Sequence, residues 1–197
     1  MKASMYVRVS KEDQHPENQI LELENYAKDR GYKIFKVYVD INGGADYYNI
    51  QDAIDNVKDG ITIIVLDGIY NETLIIDKKL NIIGQGQDRS FITIESQTNN
   101  NNIISIFADN CKIQGFNISC SRTDANYIGI TINSSGNIIQ DNIIRCQYKG
   151  ILLSESSKFN KISSNRIFSS IYGIELDRSE ENEIFKITGL TWDDIDE

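Results

Sequence analysis

The feature that most constrains this chain is a repeat. The pairs Gly129-Ile130, Gly150-Ile151 and Gly173-Ile174 follow one another at intervals of 21 and 23 residues. Each opens an alternating apolar pair: Ile130/Ile132, Ile151/Leu153 and Ile174/Leu176. Behind each comes Asn-x-Ile, at Asn137, Asn160 and Asn182, and a second Asn-x-Ile follows at Asn142 and Asn165. A looser copy upstream holds Ile104/Ile106, Ile113, Phe116 and Ile118. A motif kept in fixed order at such a period marks stacked units, each burying its apolar side against the next.

Composition says what the unit is made of. The 197 residues include 35 Ile and 20 Asn, against 13 Gly and one Pro. Ile is stiff at χ1 and favours strands, while Asn belongs in turns. A coil of about 22 residues holding two or three short strands predicts a mainly β fold, a right-handed parallel β-helix. Strands of successive coils would then stack about 4.8 Å apart. Asn142 and Asn165 fall in one slot of neighbouring coils and are expected to form a structural ladder of amides. Cys120 and Cys146 share another slot with Ser169, which predicts a stack of small buried side chains with free thiols.

This repeat resembles the right-handed β-helix domains of pectin-lyase-like and NosD-like proteins, over residues 41–188. At its start, Ile50, Ala53, Ile54 and Val57 repeat at helical spacing and predict a short helix over the open N-terminal end of the solenoid. Residues 189–197, with Leu190, Trp192 and four acidic side chains, are expected to form an acidic tail or a C-terminal cap. The resemblance implies a fold and leaves function open, because β-helices serve as lyases, hydrolases, adhesins and scaffolds.

Residues 1–40 read differently. Lys2–Val9 is a β-branched and aromatic run, Ile20, Leu23 and Ala27 fall at helical spacing, and residues 33–40 form a second apolar run. The pattern predicts a short βαβ unit with parallel strands. Here Tyr6-Val7-Arg8-Val9-Ser10-Lys11-Glu12-Asp13-Gln14, then Glu17-Asn18-Gln19 and Gly31-Tyr32, resembles the N-terminus of serine recombinases of the resolvase/invertase family. That resemblance implies Ser10 as the nucleophile toward a DNA phosphate and Arg8 as the guanidinium that activates it, which suits phosphoryl transfer. The family also carries Asp-Arg-x-x-Arg after a later strand. The corresponding Asp67-Gly68-Ile69-Tyr70-Asn71 keeps the aspartate and lacks both arginines.

Charge narrows the partners. The formal charge is −9, and all of it falls beyond residue 40. A general nucleic-acid surface needs a basic face. One histidine and three cysteines without paired close spacing exclude a multi-histidine site and a cysteine-rich zinc module, so no metal or cofactor is expected. The first residues carry charges and no apolar stretch, and no apolar run approaches the roughly 20 residues of a membrane span. The expectation is a cytoplasmic chain without membrane contact.

No carboxylate pair repeats between neighbouring coils. The outward positions beside the Gly-Ile strands are Thr131, Leu152 and Glu175, and the acidic residues near the C-terminus read as a solvated face. The resulting expectation is a non-enzymatic β-helix binding or scaffold module with a degenerate resolvase-like N-terminus. Its partner would be a glycan or a protein on the β-helix face. The alternatives are a DNA strand-exchange recombinase fragment acting through Ser10, with DNA as partner, and a carbohydrate-active β-helix enzyme.

Overall fold

A computed structural model describes residues 2–9, 16–30, 33–41, 49–66, 68–85, 92–95, 102–119, 127–155, 157–169 and 171–189. The chain opens with β1 (Lys2–Val9), α1 (Pro16–Asp29), β2 (Lys33–Ile41) and α2 (Ile50–Asn56). Three parallel sheets follow, visited in turn. Sheet A takes β3 (Ile61–Leu66), β6 (Leu80–Gln85), β9 (Lys112–Gln114), β12 (Ile138–Gln140), β15 (Lys161–Ser163) and β18 (Glu183–Phe185). Sheet B takes β4 (Gly68–Tyr70), β7 (Ile92–Glu95), β10 (Asn117–Ser119), β13 (Ile143–Cys146) and β16 (Arg166–Ser169). Sheet C takes β5 (Leu74–Ile76), β8 (Asn102–Ile106), β11 (Ile128–Ile132), β14 (Lys149–Leu153) and β17 (Tyr172–Leu176). The fold is the expected parallel β-helix, with three strands to each coil.

Isoleucine supplies the core because one residue type stacks on itself. In sheet A, Ile63, Ile82, Ile113, Ile139, Ile162 and Ile184 are register partners in succession. The first five are at most 1% exposed. Ile118, Ile144 and Ile167 stack likewise in sheet B, and Ile104, Ile130, Ile151 and Ile174 in sheet C. Each buried side chain of this size contributes about 1.5–3 kcal/mol relative to exposure.

Corners are made by left-handed residues. Gly115, Asp141, Ser164 and Lys186 have φ between 53° and 85° and turn the chain from sheet A to sheet B. Asn110, Gly136, Phe159 and Glu181, at φ 57° to 71°, turn it from sheet C to sheet A.

The two ends differ. Over the N-terminal end lies α2, with Ile50, Ala53, Ile54 and Val57 buried in the common core. Its N-terminus is held by Asn49, whose side chain accepts from Asp52 N, and by Glu72, whose carboxylate accepts from Ile50 N and Gln51 N at 2.8 and 2.9 Å. Sheet A is not closed by α2. It continues into β1 and β2, in the order β2-β1-β3, so the N-terminal strands lengthen the solenoid's own sheet.

Candidate functional site

The order β2-β1-β3 reverses direction at β1. In an open parallel sheet, the crevice beyond the C-terminal strand ends at such a switch point is where ligands bind. β1 pairs with β3 from Ala3↔Thr62 to Tyr6↔Val65. Arg8 lies one residue before the end of β1, its Cα opposite that of Asp40. Ser10 comes directly after β1 and lies outside the described residues, as does Asp67 after β3.

Gly68, Ile69 and Tyr70, next in sequence, form β4, the first strand of sheet B, and Tyr70 is 1% exposed. A Cβ at Gly68 would stand 3.2 Å from Tyr70 Oη and 3.3 Å from the ring. Position 68, where the resembled family carries an arginine, is here a half-buried glycine packed against the tyrosine ring.

Asn142 and Asn165 are brought together. Asn165 Oδ1 accepts from both N and Nδ2 of Asn142, at 3.0 and 3.1 Å. Asn142 Oδ1 in turn accepts from Phe116 N at 3.1 Å. At the other corner Asn182, Asn160, Asn137 and Cys111 N form the same chain of bonds, each side chain accepting from the backbone one coil earlier. All of Asn137, Asn142, Asn160 and Asn165 are buried. These residues therefore hold corners and offer no group to a ligand.

The expected stack of free thiols is corrected at Cys146, which is disulfide-bonded. Parallel neighbours in register stand near 4.8 Å, inside the roughly 4.4–6.8 Å Cα separation a disulfide spans. Cys120 lies outside the described residues. Cys111 is free and buried, and burial pushes its thiol above the ordinary range.

The outer faces carry a series of cation and ring contacts between coils. On sheet C, Lys149 Nζ lies 2.6 Å from Glu175 Oε2, and that bond holds the ammonium above its ordinary pKa. The same nitrogen lies 4.7 Å from the ring centre of Tyr148 and 5.9 Å from that of Tyr172, and the two rings meet edge to face. On sheet A, Lys161 pairs with Glu183 at 3.7 Å and lies 5.0 Å from the Phe185 ring. On sheet B, Arg145 and Arg166 both approach Phe168. Thr131, Leu152 and Glu175 are register partners as expected, but Thr131 is only 5% exposed. The ring and cation pairs were missed in the sequence. Their signal is a partner 22 or 23 residues on, as in Lys149/Tyr172, Arg145/Phe168 and Lys161/Glu183. Among the described residues no three His, Cys, Asp or Glu side chains gather to hold a metal ion.

The comparisons divide along the same line. A family model for the resolvase N-terminal domain matches residues 3–69, which takes in β1 through β3 and reaches into β4. Among solved structures, the chain is similar to pectin methylesterase PemA from Erwinia chrysanthemi. The two are 17% identical with a TM-score of 0.50, over 65% of this chain and 47% of that one. A pectin methylesterase from Aspergillus niger is 15% identical with a TM-score of 0.45, over 68% and 65% of the two chains. This chain therefore spans just under half the length of PemA. No curated protein matches it. The protein is a parallel β-helix with a resolvase-like N-terminal segment.

Proposed function

We propose that the chain is a non-enzymatic binding or scaffold module, a β-helix that took over a resolvase-like N-terminal unit as the start of its sheet A. The observation that carries this reading is the corner at Gly68 and Tyr70. Strand exchange needs guanidinium groups around a pentacovalent phosphate. Where the resembled family supplies them, this chain has Gly68, packed against the buried Tyr70 ring, and the exposed Asn71, neither of which carries a charge. Residues 3–69 then serve as structure, with β3 shared between the two halves. The stacked outer faces, carrying Lys149 with Tyr148 and Tyr172 and Arg145 with Phe168, are the surfaces for a glycan or a protein partner. Likeness to pectin methylesterases supports a glycan. Titration with acidic and neutral oligosaccharides tests this, and failure to bind either removes the glycan.

A second reading, residual recombinase chemistry, is favoured by the 3–69 match and by the placement of Arg8 beside the switch point, two residues before Ser10. Incubation with supercoiled DNA decides it. A covalent protein–DNA adduct that disappears in Ser10→Ala would establish Ser10 as nucleophile. The carbohydrate-active alternative rests on fold alone, and release of methanol from methyl-esterified pectin would support it. As for location, no helix among the described residues is long and apolar enough to cross a membrane. The cytoplasmic expectation stands against the Cys146 disulfide, since such bonds persist in oxidising compartments. Thiol trapping in intact cells decides between them.

A further inference from the structure

Sheet B carries two guanidinium groups that no carboxylate neutralises among the described residues. Arg145 on β13 and Phe168 on β16 are register partners, and Arg166 precedes Phe168 by two residues, so all three share the outer face. The guanidinium carbons of Arg145 and Arg166 lie 5.2 and 4.8 Å from the centre of the Phe168 ring. Both arginines are exposed, and the ion pairs among the described residues use Lys149, Lys158, Lys161 and Arg178 instead. Two like charges held against one ring repel, so the pair gains from an anion set against both.

The chain returns to this same edge. After β18 it re-enters sheet B, where Thr188 bridges Arg166 in parallel. Ile167 N donates to Thr188 O at 2.7 Å, and Thr188 N donates to Asn165 O at 3.1 Å. Gly189 then lies against the carbonyl of Ile167, so closely that no Cβ would fit. The sequence that follows holds Asp193, Asp194, Asp196 and Glu197. Four Cα steps separate Gly189 from Asp193, a reach of about 13 Å. Across the stack, the strand of Arg166 stands about 5 Å from Thr188 and that of Arg145 about 10 Å. The first acids can therefore reach both guanidinium groups.

We propose that Arg145 and Arg166 are the docking site for the chain's own acidic segment, residues 193–197, which folds back onto the outer face of sheet B. A guanidinium is planar and takes a carboxylate through two parallel N–H···O bonds. The other acids of the last coil, Asp177, Glu180, Glu181 and Glu183, already face Arg178, Lys158 and Lys161. Exposed ion pairs are individually worth little, and the short tether compensates by holding the carboxylates close to the site. Docked there, the segment neutralises the arginine pair, and a partner meeting this face would first displace it. Docking of the segment is independent of whether the outer faces bind a partner.

Acrylamide quenching of Trp192, the chain's only tryptophan and the neighbour of Asp193, tests this in the full chain. Trp192 should be shielded at low salt and more open to quencher at about 1 M salt, where the screening length is about 3 Å. Arg145→Gln, Arg166→Gln and the double variant Asp193→Asn/Asp194→Asn should each shift the equilibrium about two- to fivefold toward the free segment. Arg178→Gln, whose side chain is already paired with Glu155 and Asp177, should leave the quenching unchanged. Arg145→Glu/Arg166→Glu should free Trp192, and adding Asp193→Lys/Asp194→Lys should restore its shielding. That rescue separates lost docking from a damaged fold. Quenching at low salt as free as in denaturant would overturn the proposal. So would shielding that neither salt nor the arginine variants change, which would leave Trp192 held by apolar packing alone.

Discussion

The side chain of Gln51 pairs with the backbone of Ile75 as a neighbouring strand would. Ile75 N donates to Gln51 Oε1 at 2.8 Å, and Gln51 Nε2 donates to Ile75 O at 3.2 Å. Ile75 sits in the middle of β5, the N-terminal edge of sheet C. An open parallel edge presents unpaired N–H and C=O groups to other chains, and natural sheets cover such edges. Here α2 delivers one amide that satisfies both groups. Lys78 fixes the far end of α2 by donating to Asp55 O and Val57 O.

Gln51→Ala should therefore cost about 1 kcal/mol, the net worth of exposed hydrogen bonds. It should also raise self-association, because the edge is uncovered. Urea unfolding and light scattering against protein concentration read the two effects. An unchanged midpoint together with unchanged scattering would mean that the contact closes nothing.

Asn165→Leu keeps the approximate volume of a side chain that is 1% exposed and removes its bonds. Asn142 N then loses its acceptor and Ile139 O loses its donor, both in the buried corner. A buried unsatisfied group costs about 1–3 kcal/mol. Asn133→Leu, at an exposed position, is the control and should cost far less. Equal melting temperatures for the two variants would strip Asn165 of its structural role.

The Gly-Ile repeat has a steric cause that predicts unequal mutants. A Cβ at Gly150 would stand 2.3 Å from Ile167 Cγ2 and 2.5 Å from Gly173 O. At Gly129 it would stand 2.6 Å from Gly150 O and from Ile144 Cγ2. At Gly173, on the last coil, nothing lies within 4 Å. Gly150→Ala should lower stability by about 1–3 kcal/mol, as overpacking does, while Gly173→Ala should be neutral or mildly stabilising. Thermal melts of the two variants that shift equally would contradict this.

Cysteine chemistry gives a pH test. Burial pushes the Cys111 thiol up from its ordinary value of 9.0, so the folded chain keeps that proton to higher pH than the unfolded chain does. Its contribution to stability is then whole below about pH 9 and is lost as pH rises through the folded value. The urea midpoint should fall above pH 9, and Cys111→Ala should flatten that fall. Thiol titration should find none in the native protein, one in denaturant alone, and three after reduction. A second thiol appearing in denaturant without reductant would rule out the disulfide at Cys146.

Much of the solenoid was legible because its corners repeat chemically. Asn137, Asn160 and Asn182 mark one corner and Asn142 and Asn165 the other, and Gly129 and Gly150 of the Gly-Ile pairs mark the places where a further coil leaves no room for a Cβ. The joining of the two halves was not legible. β1 pairs with β3 across more than fifty residues of sequence, and such a pairing leaves no local trace. Tyr38, Val39 and Asp40 suit either half, which hid the extent of the resolvase-like segment toward residue 69. The cluster of Arg145, Phe168 and Arg166 was hidden for a related reason. Its members become neighbours only when the register between β13 and β16 is known, because the outer face is under no packing constraint that would repeat a residue type.

The C-terminal end remains the least covered part of the core. Leu176 and Ile184 occupy the inward slots beneath Leu153 and Ile162, which are fully buried, yet they are themselves 49% and 37% exposed. The last coil carries Asp177, Glu180, Glu181 and Glu183, four acids paired with only three cations, Arg178, Lys158 and Lys161, and that rim's excess negative charge opposes a second copy of the same end. The sequence expectation places Leu190 and Trp192, beyond the described residues, as a cap on these two side chains. Deletion of residues 190–197 would then expose more apolar surface and remove four acids at once. Concentration-dependent oligomers and a lower melting temperature should result, with oligomers favoured by added salt as the rim charge is screened. In the intact chain, Trp192 fluorescence should be shielded from iodide and should become quenchable on unfolding. A deletion variant that stays monomeric and equally stable, beside an intact chain whose Trp192 is already quenched freely, would show that the end is closed by charge alone.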